Sequence, residues 1–103
     1  NLLINSIDSI ESEGKIEIRA CPREDGLEIR IRDNGKGIKD EILPFIFKPF
    51  FNTKPKGSGL GLSISKRLIE NHKGNITIES KEGSGTIVRV FLPYLNEKGN
   101  VIE

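Results

Sequence analysis

The sequence has no methionine, no tryptophan, one cysteine, one histidine and one tyrosine. A single cysteine, Cys21, excludes an internal disulfide and fits a reducing compartment. Cys21 follows a strand-like stretch, where an inert thiol is the simpler reading than a nucleophile. No apolar run is long enough to span a membrane, and no secretory leader is visible. The chain also lacks charge of one sign: 16 Lys plus Arg against 15 Asp plus Glu leave a net charge of +1. That balance argues against a nucleic-acid binder held by bulk charge. It leaves room for a small anionic ligand, which local charge decides. The missing initiator Met, with a helix pattern already running in "NLLINSIDSI", reads as a piece of a longer protein.

What is present suits one small domain: 103 residues, 35% hydrophobic and 30% charged. Residues 1–12 have helical spacing, with Leu2, Leu3, Ile7 and Ile10 on one broad face and Asn1, Asn5 and Asp8 opposite. Gly14 stops that helix. "KIEIRA" (15–20) and "GLEIRIRD" (26–33) alternate as strands, and "PREDG" between them makes a hairpin. Residues 61–73 form a second helix, closed by Gly74. "NITIES" (75–80) and "TIVRVFL" (86–92) form a second hairpin across "KEGSG". Pro93 ends it, and 94–103 read as a polar tail or linker. The order helix, hairpin, long loop, helix, hairpin predicts an α+β sandwich with helices on one face of a mostly antiparallel sheet.

The stretch 34–60 has no sustained period, and so long an irregular segment in a small domain points to function. Asp33 stands at its entrance. Counting by two from Leu27 through Ile29 and Ile31 puts this carboxylate on the core side of a strand end. Such a group is costly without hydrogen bonds. On spacing alone a turn cap is the simpler reading; the sharper one is an acceptor facing a ligand amine. Gly35 and Gly37 permit positive φ and close approach of a flat ligand. Asn1 and Asn5 lie one helical turn apart. They read as the wet face of an amphipathic helix, or as weak oxygen donors to Mg²⁺ shared with phosphates.

"GSGLGLSISKRLIENHKG" (57–74) places three glycines before a helix. It matches neither the P-loop nor the dinucleotide fingerprint. The helix start still offers free N–H groups to an anion, with Lys54 and Lys56 just upstream. The alternative is a flexible hinge. "FIFKPFF" (45–51) is a loop-pinning apolar cluster or a patch for a partner domain. His72 falls between Leu68 and Ile69 on the helical wheel, which favours a core or helix-end role over a catalytic one.

Together, "NLLINSIDSI", "DNGKGI", "FKPFFNTK", "GSGLGLSISKRLIENHKG" and "EGSGTIVRVFLP" resemble, in order, the N, G1, F, G2 and G3 boxes of the ATP-binding catalytic domain of sensor histidine kinases. The likeness covers roughly residues 1–93, with 94–103 as tail or linker. "FFNTK" is most similar to the nitrogen-regulation and sporulation-type kinases. The resemblance implies the Bergerat (GHKL) fold: a two-layer sandwich with a mixed, mostly antiparallel sheet, here without its N-terminal part.

It implies ATP and Mg²⁺ as cofactors. Asp33 would accept the adenine amine, replacing the turn-cap reading. Gly35, Gly37 and Ile38 would border the base, with Thr86 near it. Asn5, with Asn1 behind it, would hold Mg²⁺ against the phosphates. Gly57, Ser58, Gly59, Leu60, Gly61 and Leu62 would meet the phosphates, and Lys54 the terminal one. Asn5 and Lys54 would be the catalytic residues.

Two residues depart from many relatives: Ser6 replaces Ala, and Asp8 replaces a basic residue. The implied activity is transfer of the γ-phosphate to a histidine on a separate dimerisation domain, for onward transfer to a response regulator. The parent would be a homodimer, the fragment a monomer. The location would be cytoplasmic, compatible with a membrane-anchored parent. The related ATPases carry a Glu base where this chain has Asn1, and an amide cannot deprotonate water at neutral pH. That residue argues for phosphotransfer over hydrolysis. A regulatory module that binds nucleotide without catalysis is the other alternative.

Overall fold

Isoleucine alternating with charge builds the first hairpin of this chain, and isoleucine and valine facing one side build the second. A computed structural model describes residues 1–10, 13–51 and 61–101. Helix α1 spans Leu2–Ser9, strand β1 Ile16–Pro22 and strand β2 Gly26–Asp33. A short 3₁₀ turn at Leu43–Phe45 interrupts the following loop. Helix α2 covers Gly61–Asn71, then β3 Asn75–Lys81 and β4 Gly85–Pro93. The strands form one sheet in the order β1-β2-β4-β3. Every described pair is antiparallel. The expected α+β sandwich is what is seen. β1/β2 and β3/β4 are the two hairpins, and the distant pair β2/β4 joins them.

Both helices contact the same sheet through its inner face. Ile31, Ile76, Val88 and Val90 are buried there, with Leu2, Ile29, Phe47, Ile69 and Leu92 packed against them. The register sets Ile31 opposite Val88, and Ile76 opposite Val90. The outer face carries Arg19, Arg30 and Arg89 in one cross-strand row. Like charges side by side destabilise a sheet. Each has an acidic partner: Arg19 with Glu17 at 2.9 Å, Arg30 with Glu28 at 3.2 Å, and Arg89 with Glu79.

Helix α1 does not lie as its hydrophobic spacing predicts. Leu3 and Ile7 are 43% and 59% exposed, whereas Ser6 is buried. The inward stripe is Leu2, Ser6 and Ser9. Small hydroxyl residues let the helix approach the end of β2, and hydrogen bonding satisfies the Ser9 hydroxyl there. Helix α2 likewise turns Ile69 inward and leaves Ile64 and Leu68 exposed.

After β4, the Tyr94 N–H donates to Asp25 O at 3.1 Å, and Leu95 bridges Val101. Lys73 Nζ donates to Gly99 O at 2.8 Å. Among the described residues no helix is long and apolar enough to cross a membrane.

Truncating Ile31 removes a buried side chain at the centre of the sheet. Ile31→Ala is expected to cost about 2–5 kcal/mol of unfolding free energy, against under about 0.5 kcal/mol for the exposed Ile64→Ala. Urea titrations of the two variants, compared at constant m value, check this.

Candidate functional site

Asp33 ends β2 on the inner face, where only hydrogen bonding makes a carboxylate tolerable. It is 5% exposed. Its Oδ1 accepts from the Gly35 N–H at 2.9 Å and lies 3.1 Å from Ser9 Oγ. No group among the described residues donates to Oδ2. The residue lines a cavity of about 750 Å³. Directly across the sheet, the register sets Thr86 opposite Asp33. Thr86 is also nearly buried and lines the same cavity. A carboxylate and a hydroxyl therefore stand side by side on one wall.

The segment after Asp33 is fixed almost residue by residue. Asn34 Oδ1 accepts the Lys15 N–H at 2.8 Å, and the Lys36 N–H donates to Ser9 O at 3.0 Å. Lys36 O accepts from the Gly83 N–H at 2.7 Å. Ser80 Oγ accepts the Ile38 N–H at 2.8 Å. Helix α1, strand β2 and the β3–β4 turn are thus tied through 33–38. Gly35 sits against Ser9, whose hydroxyl and carbonyl occupy the space of a side chain. Gly37 has φ of +73°, and a Cβ there would meet Lys81 O. Both glycines are required by contacts with protein backbone, and of the two only Gly37 lines the cavity.

The opposite wall comes from α1. Asn1 and Asn5 both line the cavity, with Asp8 beyond them. The Asn1 side chain does not cap the helix it precedes. Gly61 and Leu62, at the start of α2, meet the same space. Gly61 lies next to the Asn1 amide. Ile38, Ile42, Ile46 and Phe51 close the apolar part.

The profile of the family described as "Histidine kinase-, DNA gyrase B-, and HSP90-like ATPase" matches residues 1–96. The chain belongs to this family. ATP is accordingly the ligand of the fold.

The chain is 43% identical over 101 residues to the signal transduction histidine-protein kinase AtoS of Escherichia coli strain K12, covering 97% of this chain and 16% of AtoS. It is 38% identical over 97 residues to sporulation kinase C of Bacillus subtilis strain 168, covering 94% of this chain and 23% of that kinase. It therefore spans less than a quarter of either relative. Among solved structures, the mycobacterial sensor histidine kinase MprB superposes with a TM-score of 0.79 at 29% identity, covering 89% of this chain and 64% of that one. The catalytic domain of histidine kinase ThkA gives 0.78 at 35% identity, covering 89% and 60%.

Within this ATPase-family fold, the cavity gathers Asn1, Asn5, Asp33 and Gly37 with Ile38, Gly61, Leu62 and Thr86. Gly35 stands just outside, behind Asp33. Lys54, Gly57, Ser58, Gly59 and Leu60 lie outside the described residues. His72 lies one position past α2 and is exposed, with Nδ1 2.8 Å from Leu68 O. The helix-end role holds, and the core position does not, because His72 adjoins Leu68 on the wheel and that side of α2 faces solvent.

The apolar run 45–51 divides. Ile46 is buried, Phe47 packs on the core and Phe51 lines the cavity. Phe50 is 76% exposed with φ of +65°.

Sequence reasoning missed Ser9, Lys36, Lys39 and Ser80. Lys36 and Lys39 bring positive charge to the cavity rim, and Lys39 faces Glu82 at 3.9 Å. The only local signal was Lys36 between the two glycines of "DNGKG".

Gly37→Ala forces a Cβ toward the Lys81 carbonyl at positive φ. It is expected to cost more than about 1 kcal/mol, because both strain and a backbone clash oppose it. Thermal melts compared with Gly83→Ala check this, since a Cβ at Gly83 meets nothing and only the strain term remains.

Proposed function

We propose that this chain is the ATP-binding catalytic domain of a sensor histidine kinase, handing the γ-phosphate to a histidine on a separate dimerisation domain of the same kinase. That domain would pass it to a response regulator aspartate. Residues 1–93 form the nucleotide-binding unit in this reading, and 94–103 a C-terminal tail or linker. The observation that carries it is Asp33. A nearly buried carboxylate has one oxygen satisfied within the protein and the other without a donor among the described residues, at the wall of the cavity. It fits a ligand that brings its own amine, as adenine does. Guanine puts a carbonyl at that position and would be repelled.

The phosphate end falls to the α1 side of the cavity. Asn1 and Asn5 offer neutral amide oxygens, and no group of three or more His, Cys, Asp or Glu converges among the described residues. Such a donor set suits a Mg²⁺ ion that takes its other ligands from phosphates and water. Asn5 would hold it, with Asn1 behind. Once bound, the ion would neutralise charge on the triphosphate. The backbone of Gly57, Gly59 and Gly61, with Ser58, Leu60 and Leu62 between, would meet the phosphates, and Lys54 the terminal one.

Asn1 supports transfer to histidine over hydrolysis, since a neutral imidazole needs no base where an attacking water does. The exposed Phe45 and Phe50, beside the cavity-lining Phe51, offer the acceptor domain an apolar contact.

Removal of the Asp33 carboxylate is expected to weaken ATP binding about ten- to a hundredfold, the worth of a charge-assisted hydrogen bond. Calorimetry of Asp33→Ala checks it, and equal affinity in both proteins would remove the base assignment. In the phosphotransfer assay, γ-labelled ATP should leave this chain unlabelled and label a purified acceptor domain of its own kinase. His72→Gln should preserve the transfer. Acid-labile, alkali-stable label on His72 would overturn the division of roles.

A further inference from the structure

Ser80 lies on β3, outside the motifs, yet its hydroxyl meets three partners at the cavity wall. It accepts the Ile38 N–H at 2.8 Å, lies 3.0 Å from Gly85 O, and lies 2.8 Å from Thr86 Oγ1. One hydroxyl has one proton and two lone pairs. The Ile38 N–H takes one lone pair. If Ser80 gives its proton to Gly85 O, Thr86 donates to Ser80 and turns only lone pairs to the cavity. If Ser80 gives it to Thr86 Oγ1, the Thr86 proton is free for a ligand. The Ser80 hydroxyl thus decides whether Thr86 meets the ligand as donor or as acceptor.

Asp33, when ionised, can only accept. Its neighbour across the register is Thr86. A ligand edge with an amine beside a ring-nitrogen acceptor needs an acceptor and a donor next to each other. Asp33 supplies the first, and Thr86 supplies the second only when Ser80 donates to it.

We propose that Ser80 is a positioning residue for base recognition: it holds Thr86 as the donor to the ring nitrogen beside the adenine amine. Through Ile38 it also ties that polarity to the long loop that follows β2. This rests on the adenine reading of Asp33, and the test separates the two.

The probes are ATP, its 1-deaza analogue, in which that ring nitrogen is a C–H, and purine riboside triphosphate, which lacks the amine. Their affinities are measured by calorimetry on the chain. The wild type should bind each analogue about tenfold more weakly than ATP, the worth of one hydrogen bond of this kind. Ser80→Ala should lose most of the preference for ATP over the 1-deaza analogue and keep the preference over the amine-lacking one. Ser80→Thr, which keeps the hydroxyl, should retain both preferences. Thr86→Val should behave like Ser80→Ala, and Ser80→Cys, of similar shape but a much weaker donor, gives the reading on Ser80 if the alanine variant fails to fold.

A Ser80→Ala protein that keeps its full ring-nitrogen preference overturns the proposal. So does one that weakens all three ligands equally, which would make Ser80 merely structural. A wild type indifferent to the amine would instead overturn the Asp33 assignment, whatever Ser80 does.

Discussion

Everything on the sheet side of the cavity depends on keeping one carboxylate buried at a strand end. Asp33 is tolerable there because backbone and hydroxyl donors converge on Oδ1. Those donors come from the next residue but one and from a helix distant in sequence. Satisfying Asp33 therefore fixes the conformation of 34–36 and the seat of α1 together. The second oxygen is left for whatever enters the cavity. Burial raises the stakes of that choice, since an unpaired charge in a low-dielectric pocket is far costlier than one in water. A ligand that restores the missing donor gains what the folded protein alone forgoes.

The division of labour follows from topology. Strands β2 and β4 are neighbours in the sheet though far apart in sequence, and their paired ends carry Asp33 and Thr86. Helix α1 faces them with Asn1 and Asn5, and the start of α2 closes the space between. The Asp33 end of the cavity is cross-linked by hydrogen bonds from three elements. Its shape is set before any ligand arrives, so binding there requires little ordering. Pre-organisation of that kind lets contact energy appear as affinity instead of being spent on conformational entropy.

Much of this was legible in the sequence. Strict alternation revealed the first hairpin, two short strand-like runs around a glycine turn the second, and the strand bounds agree to within two residues at either end. Counting by two from Leu27 already put Asp33 on the inner face. The seat of α1 was not legible, because hydropathy periodicity finds the greasiest face, while this helix docks by its smallest one. Leu3 and Ile7 stay exposed and Ser6 is buried. The glycines of "DNGKG" were visible, but their cause was not: Gly35 yields to Ser9, and Gly37 to Lys81. Ser80 was invisible because its meaning lies in the meeting of residues 38, 80, 85 and 86. No local pattern announces such a meeting, whereas the sheet register makes it unavoidable.

The small residues on the inner stripe of α1 also act as a gauge. Ser6 and Ser9 fix how near the helix axis comes to the end of β2. Asn1 and Asn5 ride on that same helix. The span between the carboxylate wall and the amide wall is therefore measured out by two side chains of two heavy atoms each. A cavity dimensioned this way is calibrated by packing and not by the residues that touch a ligand. Lengthening either spacer would shift the amides as a rigid set, leaving their chemistry intact and their reach wrong.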